Sequence, residues 1–593
     1  MNDWLRSAFG PPTWVAEVDR DTLRRDLVAG LSVGVMLVPQ AMAYATLAGL
    51  PAQYGLYASL VPLLGYPIFG SARQLAVGIV ALDMLIVAAG LAPMAEPGSE
   101  RFIALAITLA ALVGLIQFGM GLLNLGFLSD LLSRPVVTGF TTAAALVIAS
   151  SQLGPLLGLD VPRSEFVVDS LGDTFRQLGS THGFTALVGG GGLAVMALLK
   201  RFRPRVPAAL VVIVLGTFVT WNWDLGAKGV AVTGRVPAGL PGLDFPLASW
   251  ADVRALLPVA TTLALLQLLT AISLGRALSA RHRYTIRPNR ELLALGAGNL
   301  LGSLFRGVPV SASFSRSAVN ERSGAQTPLA NVAAALLVAL TLLFLTPLFS
   351  YLPGAALAAI IVVSVLGLVS PAEFVRLVRT HRRDGIVALL TVGATLVLGI
   401  QEGVVVGVVA STLAVLYRMS RPPIAELGLL PGTRFFRDRA RFTEAEPVPG
   451  LEILRVDAAF SFFNAAWFRE KVLDRSREEG EGEGLRAVIV EGRGINDLDT
   501  TAVDVLRELV GTLHQWGIQL YLAGLKGRVR DVLVRSGLAA ELPSDTFHLT
   551  TDHAVRHLLA RWDAEDGGRR LEGYDRRSGE DGPEEVDHGV PLT

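Results

Sequence analysis

In Val310-Ser311-Ala312-Ser313-Phe314-Ser315-Arg316-Ser317-Ala318-Val319-Asn320, four serines and an arginine interrupt an otherwise apolar part of the chain. The segment follows Gly307-Val308-Pro309 and lies between the apolar runs Leu292–Phe305 and Leu329–Leu348. Polar groups at membrane depth are costly unless they line a cavity. Small hydroxyls at the start of a short helix leave backbone N–H groups free, and the helix dipole favours an anion there. Arg316 adds a fixed cation. An interfacial loop with Arg316 snorkelling to headgroups is the alternative, and the position between two spans weighs toward a binding site.

The surroundings of this segment are those of a membrane protein. The chain has 593 residues, 51% apolar and only 18% charged, and the charge is unevenly spread. A span needs about 20 apolar residues. Such runs are Leu27–Ala48, Tyr54–Phe69, Phe102–Leu123, Pro135–Leu153, Phe184–Leu199, Ala208–Trp221, Ala255–Leu274, Leu292–Phe305, Leu329–Leu348, Ala355–Leu368, Ile386–Ile400 and Val404–Tyr417. Two shorter or more polar segments, Gln74–Leu91 and Val310–Asn320, bring the expected total to fourteen. A soluble enzyme is excluded. The start of the chain is polar and lacks the apolar run of a cleavable signal peptide.

Basic clusters at Lys200–Arg205, Arg276–Arg290 and Arg376–Arg383 all fall on the side of both termini when fourteen elements are counted. The positive-inside rule then makes both termini cytoplasmic in a multi-pass protein of the cell (inner) membrane. The two odd segments are third in each group of seven, the sequence pointer to an inverted-repeat transporter. We therefore expect a cytoplasmic segment over 1–26 and a transport domain over 27–420.

Beyond Tyr417 the chain becomes rich in Arg, Asp and Glu. A linker is expected over 421–448. Leu451–Phe460, Arg486–Glu491 and Ile518–Ala523 read as strands, and Thr500–Gln515 and Arg528–Ser536 as helices, giving a small α/β domain over 449–562. The charged tail, 563–593, reads as disordered. The net charge is zero and no basic block is interleaved with aromatics, so nucleic acid is not an expected partner. There is no cysteine, which excludes disulfides and thiolate zinc sites; no cofactor and no metal is implied.

Further polar residues sit within the apolar runs. Gln40 and Tyr44 follow Pro39, whose missing N–H can free carbonyls toward a polar cavity or simply kink the helix. Asp83 is the clearest intramembrane acid, either a proton-coupling group or a structural partner. Glu402 reads as part of a turn between the last two spans.

Pro39-Gln40-Ala41-Met42-Ala43-Tyr44-Ala45, Ala48-Gly49-Leu50-Pro51, Gly55-Leu56-Tyr57 and Phe69-Gly70-Ser71-Ala72-Arg73-Gln74 resemble the signature of the sulfate permease (SulP) family. Asn289-Arg290-Glu291-Leu292, Gly296, Asn299 and Ser313–Asn320 extend the likeness in order along the chain, and Leu498-Asp499-Thr500-Thr501-Ala502 resembles a STAS domain. The resemblance implies a uracil-permease-like 7+7 inverted repeat of core and gate domains, a homodimer, and an anion between the N-termini of the third and tenth helices. Its site would comprise Gln40, Tyr44, Val80, Ala81, Ser313, Phe314, Ser315 and Arg316. It also marks Thr501 as the position phosphorylated in some relatives, although Thr500 and Thr501 could simply cap their helix. Two features depart from the family: Gly78-Ile79 stands in place of Gly-Pro, and Thr270 in place of an acid on the eighth helix. Asp83 then becomes the coupling candidate, or the protein is an uncoupled exchanger. The expected function is secondary active transport of a small anion (sulfate, bicarbonate or a dicarboxylate), coupled to H+ or Na+ or run as exchange. An anion channel of this fold and a membrane-anchored STAS signalling protein are the rivals.

Overall fold

Asp19 caps the first long helix by accepting the Thr22 N–H, and Arg20–Leu47 (α1) then runs unbroken through Pro39. The chain, seen here as a computed structural model, is described over residues 13–130, 133–161, 166–203, 206–234, 236–244, 249–480 and 484–578. It divides into two compact units, one reaching Ser411 and the other starting at Thr412.

In the first unit, α1 is followed by Val61–Phe69 (α2), reached through the short helix Gln53–Ala58. An extended pair, Val77–Gly78 (β1), leads into the half-length helix Ala81–Leu91 (α3). Glu100–Leu122 (α4), Arg134–Ser151 (α5), Gly183–Phe202 (α6) and Ala208–Asn222 (α7) complete the first seven elements. The second seven repeat the plan: Trp250–His282 (α8), Pro288–Leu304 (α9), then Ser311–Ala312 (β2) and the half-length Phe314–Arg322 (α10). Leu329–Leu340 (α11), Gly354–Leu366 (α12), Arg382–Leu398 (α13) and Ile400–Ser420 (α14) follow, α14 running on past the division between the units. Glu402 lies in the first turn of α14, after Gly399 at φ +113° breaks the helix from α13. The expected span Ala255–Leu274 is part of a helix of 33 residues, because Ser249 and Asp252 form a capping box at its start.

Packing obeys an exchange of seven. α1 lies on α11 as α8 lies on α4; α2 lies on α11 as α9 lies on α4; α5 lies on α13 as α12 lies on α6. The third elements also pair, β1 running antiparallel to β2 with Val77 opposite Ala312 and Gly78 opposite Ser311. This is a polytopic helical membrane protein built as two inverted halves. The tightest packing is within two groups, α1–α4 with α8–α11 and α5–α7 with α12 and α13, and Gly403 and Gly407 bring α14 against Thr395 and Thr391 of α13. Close contact in the first group depends on glycine: a Cβ on Gly296 of α9 would fall 2.5 Å from the Phe118 nitrogen of α4, and one on Gly114 lies 2.5 Å from the Leu300 nitrogen. Large apolar side chains such as Leu187, Phe344 and Val397 face outward, as a lipid-facing surface requires.

The second unit is a six-stranded sheet flanked by helices on both faces. Its strands are Ile424–Leu429 (β3), Phe436–Asp438 (β4), Leu451–Val456 (β5), Ala487–Glu491 (β6), Gln519–Ala523 (β7) and Phe547–His548 (β8), ordered β4-β3-β5-β6-β7-β8. β5 to β8 run parallel. Alternate residues serve opposite faces: Leu454, Val456, Val488 and Val490 pack with Ala465–Gly480 (α15), Thr500–Gln515 (α16) and Gly527–Arg535 (α17). Leu451, Ile453 and Ile489 pack with Thr551–Asp566 (α18) and Arg570–Ser578 (α19). Burial on both faces explains the near-continuous apolar strands.

Two expectations change here. Residues 421–448 are not merely a linker, because β3 and β4 add antiparallel strands to the sheet and bury Leu427, Leu429 and Phe436. Residues 563–578 are ordered, since the Asp563 carboxylate accepts the Arg570 and Leu571 N–H groups while Tyr574 is fully buried and donates to Asp552. The rest of the expected tail, 579–593, and residues 1–12 of the N-terminal segment lie outside the described residues.

Candidate anion site

Ser313 is the N-cap of α10: its hydroxyl accepts the Arg316 N–H at 3.5 Å and lies 3.3 Å from the Ser315 hydroxyl. Arg316 is fully buried, although it is a guanidinium in an apolar core. Its Nη1 reaches Gln40 Oε1 of α1 at 3.4 Å, while Nε and Nη2 have no hydrogen-bond partner. An unpaired buried charge is among the most costly arrangements in a protein. Gly78 lets the charge approach β1, since at φ +147° a Cβ there would stand 3.1 Å from Nη2.

The opposing N-terminus belongs to α3. Val80 is its extended N-cap and Ala81 its first residue; no side chain caps it, so first-turn N–H groups are left for another acceptor. Tyr44 is buried on α1, one helical turn beyond Gln40. Ser313 is buried, whereas Phe314 and Ser315 present exposed side chains. The structure thus gathers Gln40, Tyr44, Val80, Ala81, Ser313 and Arg316 around the meeting point of α3 and α10, with Phe314 and Ser315 at its open edge.

Cross-bracing holds this geometry. Ser313 N–H donates to the Ala76 carbonyl, the Ser317 hydroxyl accepts the Ala76 N–H, and Asn320 and Asn331 donate to the carbonyls of Gln74 and Leu75. Asn299 of α9 clamps both backbone groups of Val310. It also donates to Gln117 of α4 at 3.0 Å; Gln117 donates to Gln267 of α8 at 2.8 Å, and Gln267 to the Asp83 carboxylate at 2.9 Å. Asp83 makes no ion pair among the described residues, so its partner is an amide rather than Arg316. Gln117 and Gln267 were not singled out from the sequence. The available signal was a lone amide inside each of two long apolar helices.

Thr501 belongs to the other unit, exposed in the first turn of α16. The cap there is Asp499, which accepts the Ala502 N–H at 2.8 Å, so neither Thr500 nor Thr501 fills that role.

A family model described as the sulfate permease family matches residues 23–391, most of the chain. The chain belongs to the sulfate permease family. A STAS domain model matches residues 443–554, within the second unit. Among sulfate permease relatives, a chloroplastic sulfate transporter 4.1 of Arabidopsis thaliana is 36% identical over 573 residues, covering 94% of this chain and 83% of its own. A probable sulfate transporter of Mycobacterium tuberculosis is 38% identical over 548 residues, covering 92% and 97%. The murine Solute Carrier 26 family member A9 anion transporter in its inward-facing state shares the fold, with a TM-score of 0.85 at 24% identity over 94% of this chain and 95% of that one. The transmembrane domain of a cyanobacterium bicarbonate transporter matches at a TM-score of 0.58 and 23% identity, covering 66% of this chain and 98% of its own. As a sulfate permease the chain is a multi-pass membrane transporter and not an enzyme.

Proposed function

We propose that this protein is a secondary active transporter of a small oxyanion, with sulfate the leading substrate, in the cell (inner) membrane. One observation carries the reading: a fully buried guanidinium whose Nε and Nη2 lack partners, set where two half-helices meet N-terminus to N-terminus. Such a site stabilises an anion through charge, dipoles and N–H donors together. Gln40, Tyr44, Ser313 and Ser315 supply further polar contacts, Val80 and Ala81 offer backbone donors, and Phe314 borders the entrance. The names of the curated relatives favour sulfate over bicarbonate and dicarboxylates.

Movement of the α1–α4 and α8–α11 group against α5–α7 and α12–α14 carries the anion across, and Asp83 carries the coupling proton. The chain acts as a homodimer with both termini cytoplasmic, and the STAS domain modulates transport without forming the pathway. Radiolabelled sulfate uptake into proteoliposomes, with bicarbonate and fumarate as competitors and with a pH or Na+ gradient imposed, tests this. Saturable uptake accelerated by an inward proton gradient is expected. Absence of anion flux, or currents far above a transporter's turnover, would overturn it.

A further inference from the structure

The turn between β5 and α15 displays two aromatic side chains that the sheet does not bury. Phe462 is 63% exposed, more than any other described aromatic side chain of the second unit, and Phe463 beside it is 36% exposed. Their ring centroids lie 4.3 Å apart. Single exposed apolar residues are ordinary, but an adjoining aromatic pair held facing water is unfavourable unless something covers it.

The turn is held from both sides. The Asn464 side chain accepts the Ser461 N–H and donates to the Ala459 carbonyl. Asp499 accepts the Phe462 N–H at 2.8 Å. Phe460 is buried edge-on against Phe468, and its N–H donates to the Asp497 carbonyl. Braced backbone therefore presents the pair.

The same turn touches the end of α14. Asn464 Nδ2 also donates to the Met419 carbonyl at 3.3 Å, and Met419 lies in the last turn of that helix and within the second unit. The 21 residues of α14 rise about 31 Å, which matches a hydrocarbon thickness of about 30 Å. Its last turn thus reaches the membrane–water border, where Arg418 and Tyr417, with Arg421 5.3 Å from the Tyr417 ring centroid, have the chemistry of an interfacial anchor. Phe462 is two residues from Asn464, at most about 7 Å of chain, and the headgroup layer is about 5–7 Å deep. The aromatic pair is within reach of that layer.

We propose that the 461–464 turn is a membrane-contact element, with Phe462 and Phe463 seated in the headgroup layer of the leaflet that meets the end of α14. There the rings leave water while Arg418 and Arg421 meet anionic lipid phosphates. Lipid is the occupant, and not a second copy of the chain, because the turn is tied to a helix end that emerges from the bilayer. The inference does not rest on which anion is transported.

The chain has no cysteine, so Ser461→Cys carries a unique nitroxide label while both phenylalanines stay in place. The full chain is reconstituted in nanodiscs of phosphatidylcholine and phosphatidylglycerol. Power saturation then compares collisions with oxygen, which concentrates in lipid, and with nickel-EDDA, which stays in water. Oxygen should dominate at position 461, and nickel-EDDA at an exposed reference label, Val534→Cys on α17. Adding Phe462→Ser and Phe463→Ser should turn position 461 to the water-exposed pattern, with thermal unfolding unchanged, whereas Phe462→Leu, which stays apolar, should keep lipid contact. The first comparison leaves the pair intact, so it stands even where the double substitution does not fold. A water-exposed pattern at position 461 with both phenylalanines present overturns the proposal. So does a label shielded from both reagents, with dipolar broadening if a second copy covers it, and so does lipid contact indifferent to the serine substitutions.

Discussion

Replacing Arg316 by glutamine separates a binding charge from a structural one, because the two roles predict opposite changes in stability. The guanidinium is fully buried, with one long contact to Gln40 and two nitrogens unpartnered. Removing one member of a buried ion pair typically costs about 3–5 kcal/mol. Here there is no such pair to break, so thermal unfolding of the anion-free Arg316→Gln protein should match or exceed wild type. Binding should suffer instead. Each charge-assisted hydrogen bond contributes about 1.5–3 kcal/mol, so two lost donors remove about 3–6 kcal/mol. At about 1.4 kcal/mol per decade, affinity falls by about 10²- to 10⁴-fold. Arg316→Lys restores charge without the planar fork and should be intermediate. The assays are initial uptake rates in proteoliposomes, direct anion binding and thermal unfolding on one preparation. Wild-type KM and uptake in Arg316→Gln would remove the residue from the site, and lost stability with intact binding would make it structural.

Three further outcomes can be measured. Asp83→Asn should keep anion-for-anion exchange while abolishing accumulation driven by an inward proton gradient; accumulation equal to wild type would leave the carboxylate as a partner of Gln267 only. Gly296→Ala places a methyl 2.5 Å from the Phe118 nitrogen and should destabilise the protein by about 1–3 kcal/mol in thermal unfolding, whereas Gly119→Ala, which meets nothing within 4 Å, should be neutral. Burial, aided by His553 and His557 and opposed by Asp545, pushes His548 down to about 4. Its folded value therefore lies below its unfolded one, so the stability it supports is present above pH 6.5 and drains away as pH falls toward 4. The opening free energy of α18, from hydrogen exchange corrected for the intrinsic rate at each pH, should fall across that range in wild type and stay flat in His548→Gln.

The parts of this molecule that could be read from its sequence are those where one segment carries its own signal. The α10 segment stood out because serine and arginine conflict with a lipid-facing helix, and fourteen membrane elements followed from hydropathy and loop charge. What escaped depends on distant partners. Gln117 and Gln267 look alike as isolated amides, and only packing of α4 against α8 and α9 joins them to Asp83. The segment 570–578 reads as a charged tail because Tyr574 is its sole large aromatic, yet that ring is buried and tied to Asp552. The strands β3 and β4 are Pro/Gly-flanked and pair antiparallel, so their places beside β5, with β4 at the edge, emerge only once β5 is in place.

The repeat also makes its two halves chemically unequal at one equivalent position. Asp83 is the third residue of α3 and Arg316 the third residue of α10, and the pairing of β1 with β2 brings those helix starts together. An acid at that position sits with the helix dipole, whereas an arginine sits against it. Arg316 is thus held against the dipole of its own helix, a field that a negative charge nearby relieves. Each helix start carries about half a positive charge, so with Arg316 the site presents about two, and an ionised Asp83 leaves about one. On the proposed reading, a proton on Asp83 matches the site to a dianion such as sulfate, and its loss matches the site to a monoanion such as bicarbonate. Charge balance across the two half-helices then ties proton to substrate. Position 270 of α8 has no carboxylate for that task, because the Thr270 hydroxyl donates to the Leu266 carbonyl of its own helix.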